Sequence, residues 1–201
     1  MRNLNKSLIP QQKKSLRNAY LEYDIEPYYQ KFGDEYRNPH EAIVKQILEL
    51  ANQQWKLDWR RVLDLACGSG EVTLALENMG IVDVEAIDPF TYKNYQKRTG
   101  KTARQFSFAE IATGALTGEK YSLIICSFAL HLVPESRLPI LLYHLGLVSN
   151  HLLIITPHKR PEIKPAWGWL SVGEIYWQRV RARLYRSESG EVVLNNLKEN
   201  P

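Results

Sequence analysis

Apolar residues along this chain change their spacing several times, and each change marks an element. Ile43, Val44, Ile47, Leu48 and Ala51 recur at intervals of three and four, the signature of one buried helix face. Asn38-Pro39-His40-Glu41 stands just before them as a helix start. Asn38 can cap, Pro39 suits the first helical position, and Glu41 completes a capping-box arrangement. Short continuous apolar runs then alternate with helical ones. Residues 61–66, 82–87, 103–108, 121–127 and 151–156 read as strands, the third being the weakest. Helices are predicted over 71–79, stopped by Gly80, around 90–98, and around 139–147 from Pro139. Strand alternating with helix calls for an open parallel sheet covered on both faces.

The two ends of the chain break this alternation. Residues 175–186 read as one long strand, with Val180, Ala182 and Leu184 on one face and Arg181, Arg183 and Tyr185 on the other. Turn residues follow at 187–190, and 191–197 returns, which makes a β-hairpin. At the other end, residues 12–32 carry Tyr20, Tyr23, Tyr28, Tyr29 and Phe32 at helical spacing, until Gly33 and Asp34 interrupt it. The expected layout is an N-terminal helical extension or cap over 1–37 and an α/β domain over 38–201. That domain is a doubly wound, mostly parallel seven-stranded sheet closed by a C-terminal antiparallel hairpin.

Composition narrows the setting. At 201 residues and 44% hydrophobic, the chain suffices for one domain with a real core. No apolar run approaches the roughly 20 residues of a membrane span, and no secretory leader opens the sequence. Cys67 and Cys126 both end strands and show no metal-ligand spacing with the histidines, so neither a disulfide scaffold nor a structural zinc is expected. A reducing, cytoplasmic setting fits. The net charge of +4 permits an acidic partner. Arg179, Arg181, Arg183 and Arg186 raise RNA as one, although base recognition wants exposed aromatics interleaved with such residues.

The chemistry gathers at one corner. The apolar run Val62-Leu63-Asp64-Leu65-Ala66 leads into Cys67-Gly68-Ser69-Gly70, and Glu71 opens a helix. A dinucleotide fingerprint would place a third glycine where Thr73 stands, and a pyrophosphate would meet the like charge of Glu71. A cationic cofactor without phosphate suits these acids better. Residues 64–70, Asp64-Leu65-Ala66-Cys67-Gly68-Ser69-Gly70, resemble the first motif of class I S-adenosylmethionine-dependent methyltransferases. Asp88 ends the second strand eighteen residues after Gly70 and matches that family's ribose-binding acid. Residues 121–132 resemble its fourth-strand motif, and 152–157 fit its fifth strand.

The resemblance implies a cofactor site for S-adenosyl-L-methionine. Asp64, Ala66, Cys67, Gly68 and Gly70 would hold the methionine part, Cys67 through its backbone. Asp88 and Pro89 would take the ribose side, Ser107 and Phe108 would flank the adenine, and Ser127 and Phe128 would border the reacting end. Ser107-Phe108 departs from the family, many of whose members place an acid there. Only about eighteen residues separate the fifth strand from the long basic one, too few for the usual helix and its loops.

Candidates for the reaction itself are fewer. His131 lies just past the fourth strand and is the catalytic candidate; orienting the loop or packing on the cofactor is its other reading. Cys126 suits a small buried residue. Trp167 and Trp169 could wall the acceptor or plug the space left by the missing helix. Tyr28, Tyr29, Tyr36 and His40 could form a lid. Lys159, Arg160 and Lys164 could meet an anionic acceptor or simply be solvated. The expected activity is methyl transfer by in-line displacement, with a small molecule as the favoured acceptor. RNA or protein as acceptor is the alternative, as is an inactive cofactor-binding subunit.

Overall fold

Strands whose residues are almost all apolar need cover on both faces, and the structure, a computed structural model, provides it. It describes residues 38 and 40–188. The helical extension expected over 1–37, with its lid tyrosines, and the returning strand over 191–197 lie outside the described residues. Helix α1 (Glu41–Trp55) is followed by β1 (Val62–Leu65), α2 (Glu71–Asn78), β2 (Val84–Ile87), α3 (Tyr92–Thr99) and the short α4 (Phe108–Ile111). Then come β3 (Leu123–Ser127), α5 (Leu138–Val148), β4 (His151–Thr156), β5 (Trp169–Trp177) and β6 (Val180–Ser187).

The sheet has six strands in the order β2-β1-β3-β4-β6-β5, parallel through β4, with β6 and β5 antiparallel at the far side. Strand β1 is buried at every position, as a central parallel strand must be. One face carries α1 and α2, where Val44, Ile47, Leu48 and Ala51 meet Val72 and Leu76 over Val62, Leu123 and Leu153. The other face carries α4 and α5, with Leu141, Leu142 and Leu145 over Leu63, Ile124 and Leu152. No helix among the described residues is long and apolar enough to cross a membrane.

Three expectations are corrected. The third strand, expected over 103–108, is reduced to a single bridge between Arg104 and Ile87. Ser107 caps α4 instead, in a full capping box: its hydroxyl accepts from Glu110 N while the Glu110 carboxylate takes the Ser107 N–H. This local bonding outcompetes a ladder offering one pair of partners, so no strand forms over 103–108. Next, the long strand over 175–186 is two strands. Gln178 and Arg179, at φ 45° and 67°, turn the chain between β5 and β6, so the hairpin sits one element earlier than expected. Finally, only half of the capping box expected of Asn38 and Glu41 forms: Asn38 Oδ1 accepts from His40 N at 2.9 Å, but the Asn38 N–H goes to Glu71 and the Glu41 carboxylate takes Arg98.

The gap left by the missing helix has a definite filling. Trp169 is fully buried against α5, and its indole N–H donates to the Leu142 carbonyl at 3.0 Å. Trp167 packs partly buried beside the same core. The plug reading therefore holds for Trp169.

Candidate functional site

Parallel strands point their carboxyl ends to one edge of the sheet, and the loops leaving β1, β2 and β3 meet there. The turn after β1 needs three left-handed residues: Ala66 (φ 57°), Gly68 (58°) and Gly70 (92°). At Gly70 the requirement is also steric, since an added Cβ would stand 2.5 Å from Thr99 Cγ2. Asp88, at the tip of β2, ties the neighbouring turns together. Its Oδ1 accepts from Phe90 N and Thr91 N at 2.8 Å each, and its Oδ2 from Gly68 N at 3.2 Å. Thr91 Oγ1 returns a bond to the Gly68 carbonyl at 2.7 Å.

Beneath this edge lies a cavity of about 530 Å³. Ala66, Gly68, Asp88, Pro89, Ser107, Phe108, Ser127 and Phe128 are on its wall, all of them named from sequence. Among the wall residues that sequence reasoning missed are Phe90, Thr91, Phe106, Leu132, Val133 and Arg137. Phe90 follows a recognised acid, so its neighbourhood was a usable signal; Arg137 had none. Apolar side chains, four phenylalanines among them, dominate these surfaces, and Asp88 is the acid on the wall. Phe128 is held at φ 56° and its ring stacks on His40 with centroids 5.1 Å apart.

Four predicted residues stand elsewhere. Gly70 shapes the turn from outside the wall, and Cys67 packs with Ala86 and Tyr95 behind it. Both thiols are buried, and burial raises their pKa, Cys126 to about 12, which leaves them unreactive. Asp64 is fully buried in β1, and its Oδ2 accepts the Thr73 hydroxyl at 2.7 Å and the Thr73 N–H at 3.2 Å from the first turn of α2. Thr73 thus has its own work at the place of the absent third glycine. His131 lies beside His158, with ring centroids 4.3 Å apart and a buried Nδ1 that has no partner among the described residues. Burial, then the neighbouring His158, lower its pKa to about 4, so it is neutral at physiological pH.

Burial outweighs the two Thr73 bonds at Asp64 and raises its pKa from 3.8 to about 7, with Glu71 and Asp88 adding repulsion. A folded-state pKa above the unfolded one favours folding most when the group is protonated. Its contribution is fully present below about pH 4 and is lost as pH rises towards 7. Asp64→Asn should remove that component. The stability of wild type relative to the variant, read from urea unfolding at several pH values, should fall from pH 4 to 7 and flatten above. A constant difference would refute it.

Glu71 does not face the cavity. Its buried carboxylate accepts from Asn38 N and Ser69 Oγ and pairs with Arg98 at 3.0 Å. Arg98 also donates to the Ser69 carbonyl and to Glu41, so one guanidinium joins α3, the glycine turn and the start of α1. The charge that argued against a pyrophosphate is therefore neutralised internally. Arg98→Met strands Glu71 and should cost about 2 kcal/mol of stability, typical of lost charged hydrogen bonds. A urea midpoint unchanged from wild type would show the clamp to be idle.

Residues 19–189 match a family described as a methyltransferase domain. An uncharacterized protein of Schizosaccharomyces pombe is 31% identical, over 87% of this chain and 93% of its own length. This chain belongs to that methyltransferase domain family. Solved structures share its fold at low identity. The magnesium protoporphyrin IX methyltransferase of Synechocystis, with bound S-adenosylmethionine, superposes at a TM-score of 0.53 with 18% identity, over 84% of this chain and 92% of that one. The ribosomal protein L11 methylase of Lactobacillus delbrueckii gives 0.56 at 15% identity, over 76% and 81%.

Proposed function

We propose that this chain uses S-adenosylmethionine to methylate a small-molecule acceptor. The observation that carries the reading is the cavity at the strand tips, where Gly68, Asp88, Ser107 and Phe128 share one wall. The residues fit the cofactor. Its flat base suits the surfaces of Pro89, Phe90 and Phe108, and its two cationic groups suit a site with Asp88 on the wall and Asp64 behind. When bound, the cofactor supplies an electrophilic methyl on a sulfonium.

The protein's part is orientation. The Asp88 carboxylate has a lone pair left after its three amide bonds and can accept a ribose hydroxyl. Ser107 Oγ donates its proton to Glu110 at 2.7 Å and accepts from Glu110 N, which leaves it one lone pair for an exocyclic amine. Phe128, fixed by its backbone and by His40, closes the reacting side. His131 is off the wall, and burial, lowering its pKa to about 4, makes it a weak base, which supports a role in packing the loop between β3 and α5 against His158 rather than in moving a proton. Of the four arginines that suggested RNA, Arg181 and Arg183 are engaged by Glu174, which weakens that alternative.

Titration calorimetry with S-adenosylhomocysteine tests the proposal. One-to-one saturable binding is expected, with none for NAD. A protein that is folded and fails to bind S-adenosylhomocysteine would end it.

A further inference from the structure

Besides the segment over 106–113 that carries Ser107 and Phe108, two groups of residues face each other across the cavity mouth. The tips of β1 and β2 supply Gly68 and Asp88, while the connection from β3 to α5 and the first turn of α5 supply Val133, Ile140, Leu141 and Arg137. That second wall is apolar except for Arg137. No acid among the described residues pairs with this guanidinium. Glu135, two residues before it, is instead held by Lys164 Nζ at 3.0 Å. Arg61, Arg98, Arg104, Arg181 and Arg183, by contrast, each have a carboxylate partner.

An exposed cation gains little from solvent-facing pairs, but one bordering an apolar cavity can reach a ligand's anion where water is displaced. Its planar fork matches a carboxylate through two parallel hydrogen bonds. A dianionic phosphate would call for further donors, and the other charged group on the wall is Asp88, of the wrong sign.

Resting on the methyltransferase reading above, we propose that Arg137 receives the carboxylate of the methyl acceptor, which is an apolar carboxylic acid. The wall of Val133, Ile140 and Leu141 holds its hydrocarbon part, and Arg137 fixes its orientation at the mouth. Selectivity then comes from one charge placed beside apolar surface.

The test uses the full chain saturated with S-adenosylhomocysteine. A first titration establishes that this product binds; its failure would overturn the cofactor reading, independently of Arg137. Benzoate, 3-phenylpropanoate and octanoate are then each compared with the corresponding amide by calorimetry, on wild type and R137Q. At least one acid should bind wild type tenfold or more tighter than its amide. R137Q should abolish that preference while keeping its melting temperature and its S-adenosylhomocysteine affinity within twofold. Equal binding of every acid and amide, or a preference that survives in R137Q, would overturn the proposal. So would a tenfold loss of S-adenosylhomocysteine binding in R137Q, which would assign Arg137 to the cofactor.

Discussion

Asp88→Ala is expected to weaken S-adenosylhomocysteine binding by 100-fold or more, about 3 kcal/mol. A charged hydrogen bond to the ribose accounts for about 1.5–3 kcal/mol of this. The remainder comes from the protein itself, because the same carboxylate accepts from Gly68 N, Phe90 N and Thr91 N. Without it the glycine turn and the start of α3 lose their shared anchor, and the ligand must order both. Asp88→Asn separates the two contributions. Its amide oxygen can still serve Phe90 and Thr91, while its NH2 group opposes the Gly68 N–H. Calorimetry should therefore place Asn between wild type and Ala. Equal affinity in wild type and Ala would remove Asp88 from the cofactor site.

Trp169→Ala should be the most damaging change to stability among those considered, at about 3–5 kcal/mol from lost burial and the cavity it leaves. The Leu142 carbonyl, left buried without its indole partner, adds about 1 kcal/mol or more. Against the roughly 5–15 kcal/mol that holds a typical domain together, this is a large share. Trp169→Phe keeps much of the volume and loses the hydrogen bond, so its cost should be nearer 1–2 kcal/mol. Urea unfolding of both variants measures the difference. A loss below 1 kcal/mol for the alanine variant would show that the site collapses without the indole.

Elements governed by local pattern were readable in the chain, and those governed by distant partners were not. Strands β1, β3 and β4 are short buried runs between the helical layers, and their apolar content located them closely. The glycine turn and Asp88 were legible because backbone geometry restricts the residue types there. Ser107 and Glu110 carried a readable capping signal, which the β-like run before it obscured. Gln178-Arg179 gave no warning of a turn, because neither residue type favours positive φ as glycine or asparagine does. Glu71 looked like a neighbour of the ligand because Arg98, its partner, lies 27 residues away. Asp64 was expected at the cofactor; it lies behind the cavity wall with its Oδ2 fastened to Thr73. The motif fixes its position but not the direction of its side chain.

The sheet order has a consequence for how the protein is made. Strand β6 lies between β4 and β5, although both are synthesised before it. Until residues 180–187 leave the ribosome, β4 has an open edge along Leu152–Ile155, four apolar residues whose finished partner is β6. Among the described strands, β5 pairs with β6 alone and waits for it too. During that interval the nascent chain presents an unpaired apolar strand, the kind of edge that attracts other chains. Translation stalled before residue 180 should therefore yield aggregation or chaperone capture, and release past 187 should yield soluble protein.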